Sequence, residues 1–256
     1  MSVAPSEYDE LPVVAGESEG AAAQRLAGYI AAPGFKRLFD AIVLAQERTG
    51  FRSLAVLSQL PGEGRTFFVS TLALACARFL RRRVLIMDTI SQTRRESVYL
   101  TTLLGESAAG PEGAGPGVGL IDLMTTRTLY RELERCRAEE AGDTGVTVSA
   151  DNRTGIHELG IRGAGIDPGE PADFHIGALV RSLRQQYDLM LLDTCALGEA
   201  NRLTIDPVVL ARQVDAAVLV TTDRSLDRDM LRRVQRELQQ RDIALIGTVF
   251  NPGVVP

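Results

Sequence analysis

A short stretch between an apolar run and a helical pattern has the residue types of a phosphate-binding loop. It reads PGEGRT, from Pro61 to Thr66. Gly62 and Gly64 allow the backbone to approach an anion closely, because glycine has no side chain. The amide groups of such a turn and of the next helix N-terminus bind phosphate, and Thr66 would supply a hydroxyl ligand for Mg²⁺. Arg65, however, stands where the common motif has lysine.

Two aspartates are predicted to lie near this loop. Asp88 follows the apolar run VLIM, and Asp193 follows the apolar run LMLL. Ligands of open α/β sheets bind beyond the carboxyl ends of the strands, so both carboxylates are expected in one crevice with the loop. Each aspartate alone would also suit the cap of a helix or turn, and the loop alone would also suit a turn without a ligand. Together they predict a present or former site for a nucleotide with Mg²⁺.

The elements that must position these residues alternate along the chain. Five apolar runs have the pattern of strands buried on both faces: 54–57, 84–87, 189–192, 216–220 and 244–250. Helical patterns lie between them, including TFFVSTLALACARFL and SLDRDMLRRVQREL, the second with Ser225 as its expected N-cap. The alternation predicts an α/β fold: a doubly wound, mostly parallel sheet with helices on both faces.

Composition places limits on the organisation and on the function. The 256 residues suit a single large domain, predicted over residues 21–256, after a flexible acidic tail at 1–20. Residues 105–119 are predicted to form a flexible glycine-rich loop. The net charge of −5 disfavours nucleic acid as a partner. The absence of a signal-peptide pattern and of a long apolar run predicts a cytoplasmic protein without direct membrane insertion.

Cysteine and histidine give little support for a second kind of site. The three cysteines lack the spacing of metal ligands, and their odd number argues against a disulfide framework. The two histidines lie in dissimilar contexts, so a histidine metal site is disfavoured. Lys36 is the only lysine of the chain.

The motifs together resemble the cytoplasmic domain of bacterial tyrosine kinases of capsule and exopolysaccharide systems. These BY-kinases are relatives of the MinD/ParA-type ATPases and have the P-loop NTPase fold. The resemblance extends from about residue 33 to residue 251. SQLPGEGRT is similar to the family's Walker A motif. Both lack the first glycine of the common P-loop, which is Gln59 here. VLIMDTI is similar to the family's Walker A′ motif, and LMLLDT is similar to its Walker B motif. Asn251, at the end of IGTVFN, is placed like the asparagine that contacts adenine.

The resemblance implies a set of site residues. The residues expected to bind ATP or ADP are Gly62, Glu63, Gly64, Arg65, Thr66, Phe67 and Asn251. The expected Mg²⁺ ligands are Thr66, Asp88 and Asp193. Arg65 and Asp88 occupy the positions of catalytic residues, in degenerate motifs.

Departures from the family pattern point away from efficient phosphotransfer. Walker A′ has two aspartates in the family, whereas Ile90 replaces the second one here. The ring-forming motif E-x-x-R-x-x-R would correspond to Pro33, Lys36 and Phe39, so the motif is not intact, although oligomerisation stays open. The given sequence ends in NPGVVP rather than in the family's cluster of tyrosines. A guanidinium also replaces the lysine ammonium poorly at a tight site, because it is planar and larger.

Three functional hypotheses follow from these observations. The first is a catalytically degenerate relative of the kinases, acting as a regulatory or scaffolding subunit. Its partner would be a membrane polysaccharide co-polymerase or export component, or an active paralogous kinase, which would bring it to the inner membrane. The second is an active tyrosine kinase or ATPase in which Arg65 replaces the lysine. The third, a positioning ATPase of the MinD/ParA type, is disfavoured by the acidic net charge.

Overall fold

A computed structural model describes residues 19–90, 120–124, 129, 176–199, 205–225 and 227–252. The helices are α1 (Glu19–Ala31), α2 (Pro33–Thr49), α3 (Arg65–Leu80), α4 (Ile176–Leu183), α5 (Pro207–Arg212) and α6 (Arg228–Gln240). The strands are β1 (Ser53–Ser58), β2 (Val84–Asp88), β3 (Ile121–Met124), β4 (Leu189–Asp193), β5 (Ala216–Thr221) and β6 (Leu245–Phe250). The predicted tail, apart from its last two residues, and the predicted loop at 105–119 lie outside the described residues.

The six strands form one parallel sheet in the order β3-β2-β4-β1-β5-β6. β1 lies between β4 and β5, so the chain leaves β1 for one half of the sheet and later returns to the other half. Every residue of β1, β2, β4 and β5 is buried, as expected for strands covered by helices on both faces. The predicted doubly wound α/β fold is confirmed.

The helices divide between two hydrophobic layers, one on each face of the sheet. One layer contains buried residues of α2 and α3, such as Phe35 and Val69, together with Leu26 of α1. The other contains buried residues of α4 and α6, such as Leu179 and Val234. α2 stops at Thr49, and Gly50 follows in the left-handed conformation that often ends a helix, with a φ of 71°.

A polar cluster holds the amino ends of three neighbouring strands together. The hydroxyl of Tyr187 donates to a carboxylate oxygen of Asp122 at 2.7 Å. The Arg83 guanidinium pairs with the same oxygen at 3.0 Å and lies over the Tyr187 ring, 4.9 Å from its centroid. Tyr187 is buried, as its place before an apolar run predicts. The cluster lies at the sheet edge opposite to the carboxyl ends of the strands.

Two expectations about local structure are wrong. β6 is not buried on both faces, because it is the last strand of the sheet, and Phe250 is 46% exposed. Ser225 is not the N-cap of α6: that helix begins at Arg228, and its N-cap Asp227 accepts from the amide of Asp229 at 3.2 Å. Among the described helices, none is both long enough and apolar enough to cross a membrane.

Candidate functional site

The phosphate-loop candidate connects β1 with α3 in a left-handed turn. Gly62 and Gly64 have φ values of 74° and 89°, a region that side chains other than glycine rarely adopt. α3 begins at Arg65, and its N-cap Gly64 offers no side-chain acceptor to the first amides of the helix. Space is open beside Gly62, where an added Cβ would meet no atom of the described residues within 4 Å. An exposed helix N-terminus beside a glycine turn is suited to binding an anion.

The two predicted aspartates lie side by side at the carboxyl edge of the sheet. Asp88 of β2 and Asp193 of β4 are partners in the parallel register. The amide and the hydroxyl of Thr89 both donate to the main-chain oxygen of Asp193, at 3.1 and 2.7 Å, and bind the two strand ends together. The amide of Ile90 donates to the Asp88 carboxylate at 2.9 Å. The geometry therefore brings both carboxylates to the edge at which the loop begins.

Asp193 is almost completely removed from solvent. It is 1% exposed, and its Oδ1 atom has no hydrogen-bond partner among the described residues. Burial raises the pKa of Asp193 to about 7, and the negative charge of Asp88 adds to the rise. A hydrogen bond from Thr66 and the positive charge of Arg65 oppose it. Thr66, Arg65 and Asp193 therefore form one electrostatic unit at the start of α3.

The guanidinium of Arg65 is an unusual buried cation. Arg65 is 8% exposed, and its Nη1 atom has no hydrogen-bond partner in the described part of the chain. Burial lowers the pKa of Arg65, whereas the negative charges of Asp193 and Glu199 raise it. Glu199 was missed in the sequence because it lies six residues beyond Asp193, in an irregular segment without a motif. That segment is bound to β1, the strand that precedes the loop, because the Leu197 amide donates to the Ser58 carbonyl at 2.9 Å.

Glu63 uses its side chain inside the protein rather than at the loop surface. It is 2% exposed, and one carboxylate oxygen accepts from the amide of Leu60 at 2.8 Å. The other accepts from the amide and hydroxyl of Thr222, at 3.2 and 3.3 Å, and from the hydroxyl of Ser225. Any contact of Glu63 with a ligand is therefore restricted to its backbone. The role of Ser225 was missed, because a serine before a helix resembles an N-cap.

Two further predicted ligand residues lie beside the loop. The ring of Phe67 packs edge-on against Tyr29, with centroids 5.0 Å apart, so its side chain belongs to the hydrophobic layer. The side-chain amide of Asn251 donates to the main-chain oxygen of Glu63 at 3.0 Å. All of the predicted site residues thus lie at the loop or at the strand ends around it.

The residues present fit a nucleotide phosphate with Mg²⁺ in their chemistry. The unpartnered Nη1 of Arg65 is a buried donor, and the unpartnered Oδ1 of Asp193 is a buried oxygen. Mg²⁺ prefers oxygen ligands and is commonly held by one or two carboxylates and by substrate phosphates. Thr66, Asp88 and Asp193 would hold the ion, which would neutralise charge on the phosphates. No group of three or more His, Cys, Asp or Glu side chains suited to a metal occurs among the described residues.

A parallel α/β sheet with a glycine loop between β1 and α3, and with aspartates ending two adjacent strands, is the architecture of a P-loop NTPase-like fold. Comparison with known proteins supports this fold. The fold is similar to the VpsO kinase domain, with 20% identity, a TM-score of 0.52, and coverage of 90% of this chain and 95% of that chain. It is also similar to the kinase domain of the Escherichia coli tyrosine kinase ETK, with 20% identity, a TM-score of 0.51, and coverage of 82% and 71%.

A sequence similarity points in the same direction. A segment of 73 residues is 26% identical to the tyrosine-protein kinase CpsD of Streptococcus pneumoniae. The segment spans 28% of this chain and 30% of that relative. No protein-family model matches the chain. The predicted resemblance to bacterial tyrosine kinase domains is confirmed in the fold and in this segment.

Proposed function

We propose that this chain is a regulatory or scaffolding protein of a polysaccharide synthesis or export system, and that it binds ATP or ADP with little or no phosphotransfer. The observation that carries the proposal is Arg65, a buried guanidinium at the first position of α3. It retains a positive charge at the phosphate site but replaces the lysine of the active motif. The glycine turn, Thr66 and the paired aspartates support retained binding.

The loss of catalysis is proposed from two positions together. Loss of one preorganised charge-stabilising contact costs on the order of 3 kcal/mol of transition-state stabilisation, about a hundredfold in rate. Ile90 stands where the related kinases have a second aspartate, and its side chain has no carboxylate to offer, although its amide donates to Asp88. Each change alone would slow a phosphotransferase severely. Binding needs only the backbone cradle and the remaining charges, so it survives changes that abolish turnover.

Titration calorimetry with Mg–ATP and Mg–ADP, paired with an autophosphorylation assay, tests this proposal on the unmodified chain. We expect submillimolar binding of at least one nucleotide without tyrosine phosphorylation. Rapid ATP-dependent autophosphorylation would show that the chain is an active kinase. If neither nucleotide binds, the proposed nucleotide binding is wrong, and only the scaffolding role is kept.

The proposed partner is a membrane polysaccharide co-polymerase or export component, or an active paralogous kinase, and the proposed location is the cytoplasmic side of the inner membrane. The fold similarity to kinase domains supports this choice of partner class. Co-purification with membrane polysaccharide co-polymerases, export components and active tyrosine kinases of the same cell, with and without ATP, tests it. Recovery of none of them under either condition would contradict the proposal.

An active enzyme that uses Arg65 is the second candidate. The unpartnered, buried Nη1 of Arg65 favours it, because a phosphate oxygen would satisfy that donor. In that case Arg65→Ala would abolish turnover, and Arg65→Lys would keep or raise it. An unmodified chain without turnover, alone or with a membrane partner, excludes this candidate.

A further inference from the structure

The end of the last strand is attached to the phosphate loop. The amide of Asn251 in the main chain donates to the carbonyl of Thr221 at 2.7 Å, which fixes the end of β6 beside the end of β5. The side chain of Asn251 then donates to the carbonyl of Glu63 at 3.0 Å. The contact is close: a Cβ built at Gly64 would lie 2.3 Å from the Asn251 side-chain nitrogen.

The same loop residue is held from a second direction. The Glu63 carboxylate accepts hydrogen bonds from Thr222 and from Ser225, which follow β5. Its other oxygen accepts from the Leu60 amide at the start of the loop, at 2.8 Å. Glu63 is therefore fixed through its side chain by the segment after β5 and through its carbonyl by the residue after β6.

The carbonyl contact determines where a neighbouring amide points. The peptide bond between Glu63 and Gly64 is planar and trans, since the described chain has no cis peptide bond. In a trans peptide the carbonyl and the following N–H point in opposite directions. A hydrogen bond that fixes the Glu63 carbonyl toward Asn251 therefore fixes the Gly64 N–H away from it. Gly64 also caps α3, so its amide belongs to the group of donors at the helix start.

We propose that Asn251 is a positioning residue for the phosphate loop, acting through the Glu63 carbonyl, and not only a residue that contacts the base. The inference rests on the proposed nucleotide site and deepens it. Phosphate binding therefore depends on the end of β6. A change at Asn251 weakens the binding even of ligands that contain phosphate but no base.

Calorimetric titrations with tripolyphosphate and with ADP, both in Mg²⁺ buffer, test the proposal on the full chain. The variants are Asn251→Ala and Asn251→Leu, the second of which keeps the approximate size without adding a charge but cannot donate to a carbonyl. Thr248→Ala, at an exposed position of the same strand, is the matched control. Loss of one net hydrogen bond predicts about fivefold weaker tripolyphosphate binding in both Asn251 variants. The control should bind like the unmodified chain.

If Asn251 contacted only the base, its variants would change the affinities for the two ligands differently. If both Asn251 variants lose ADP affinity but keep tripolyphosphate affinity, Asn251 contacts the base alone and the proposal is wrong. Adenosine serves as the complementary probe, because it has the base and no phosphate.

Hydrogen exchange of the free protein gives a readout that needs no ligand. We expect the amides of the peptide 59–67 to exchange about fivefold faster in both Asn251 variants than in the Thr248→Ala control. Equal exchange would overturn the positioning role. If the unmodified chain binds neither ADP nor tripolyphosphate, the proposed nucleotide site fails, and the exchange rates still decide whether Asn251 positions the loop.

Discussion

Asp88 and Asp193 occupy paired register positions on adjacent parallel strands, so two carboxylates meet at one edge of the sheet. Both are buried, at 5% and 1% exposure. Two like charges at such a position repel each other unless a cation or a proton intervenes. The relationship makes proton binding, cation binding and stability depend on one another at this site.

The first prediction concerns Asp193→Asn and pH. The pKa of Asp193 is raised from 3.8 to about 7, so between these values the folded chain binds more protons than the unfolded chain. The contribution of Asp193 to the free energy of unfolding is therefore fully present below pH 3.8 and lost as the pH rises through 7. The stability advantage of Asp193→Asn over the unmodified chain should grow by roughly 2 kcal/mol between pH 5 and pH 8.

Urea unfolding of both proteins in a chelator, at pH 5 and at pH 8, measures this difference. A difference in the free energy of unfolding that does not change with pH would contradict the raised pKa of Asp193.

The second prediction tests the proposed loss of phosphotransfer with the double variant Arg65→Lys and Ile90→Asp. The double variant returns both the lysine and the second carboxylate of the related kinases. We expect ATP turnover at least about a hundredfold above that of the unmodified chain, because each restored contact stabilises transition-state charge. Arg48→Lys, at an exposed position of α2, is the control for the extra lysine. A double variant that binds Mg–ATP but turns over no faster would argue against loss of catalysis at these two positions.

The third prediction concerns Gly64→Ala. Alanine would adopt the φ of 89° only with strain of about 1–2 kcal/mol, and its Cβ would collide with the Asn251 amide. We expect Mg–ADP affinity to fall at least about tenfold, since the loop must move away from its binding conformation. Gly247→Ala is the control, because a Cβ there meets no atom within 4 Å. Equal affinities in the two variants would show that the loop tolerates a side chain at residue 64.

The fourth prediction concerns Tyr187→Phe, at the opposite edge of the sheet. The variant removes the hydroxyl that donates to the buried Asp122 carboxylate at 2.7 Å. We expect a loss of about 1–3 kcal/mol in the free energy of unfolding, because a buried acceptor loses one of its donors. Nucleotide affinity should be unchanged. A loss of affinity with unchanged stability would mean that the cluster serves the site rather than the fold.

The sequence predicted those parts of the molecule in which local pattern and tertiary environment agree. Strands such as β2 and β4 consist of continuous apolar runs because helices cover both faces, and their terminal aspartates are visible for the same reason. β6 is also rich in apolar residues but is the edge strand, and composition alone does not determine the position of a strand in a sheet. β3 was not identified, because Asp122 interrupts its apolar run.

Polar networks were harder to predict because they join residues that are distant in sequence. Glu63 and Ser225 are 162 positions apart and meet only after β1 and β5 are paired. Locally, Ser225 has the spacing of a helix cap, and Glu63 lies at a ligand-binding position of the loop motif. Both interpretations are reasonable for a short segment, and both are changed by the parallel sheet that brings the strand ends together.

The exposed position of Lys36 on α2 has a practical consequence for labelling. Lys36 is the only lysine, and the phosphate-loop candidate carries arginine. An amine-reactive fluorophore would therefore modify one defined side chain of this chain without touching any side chain of the candidate site. Because residue 65 is arginine rather than lysine, the reagent would not acylate the candidate site. Nucleotide binding could therefore be measured on a protein that carries the dye at Lys36.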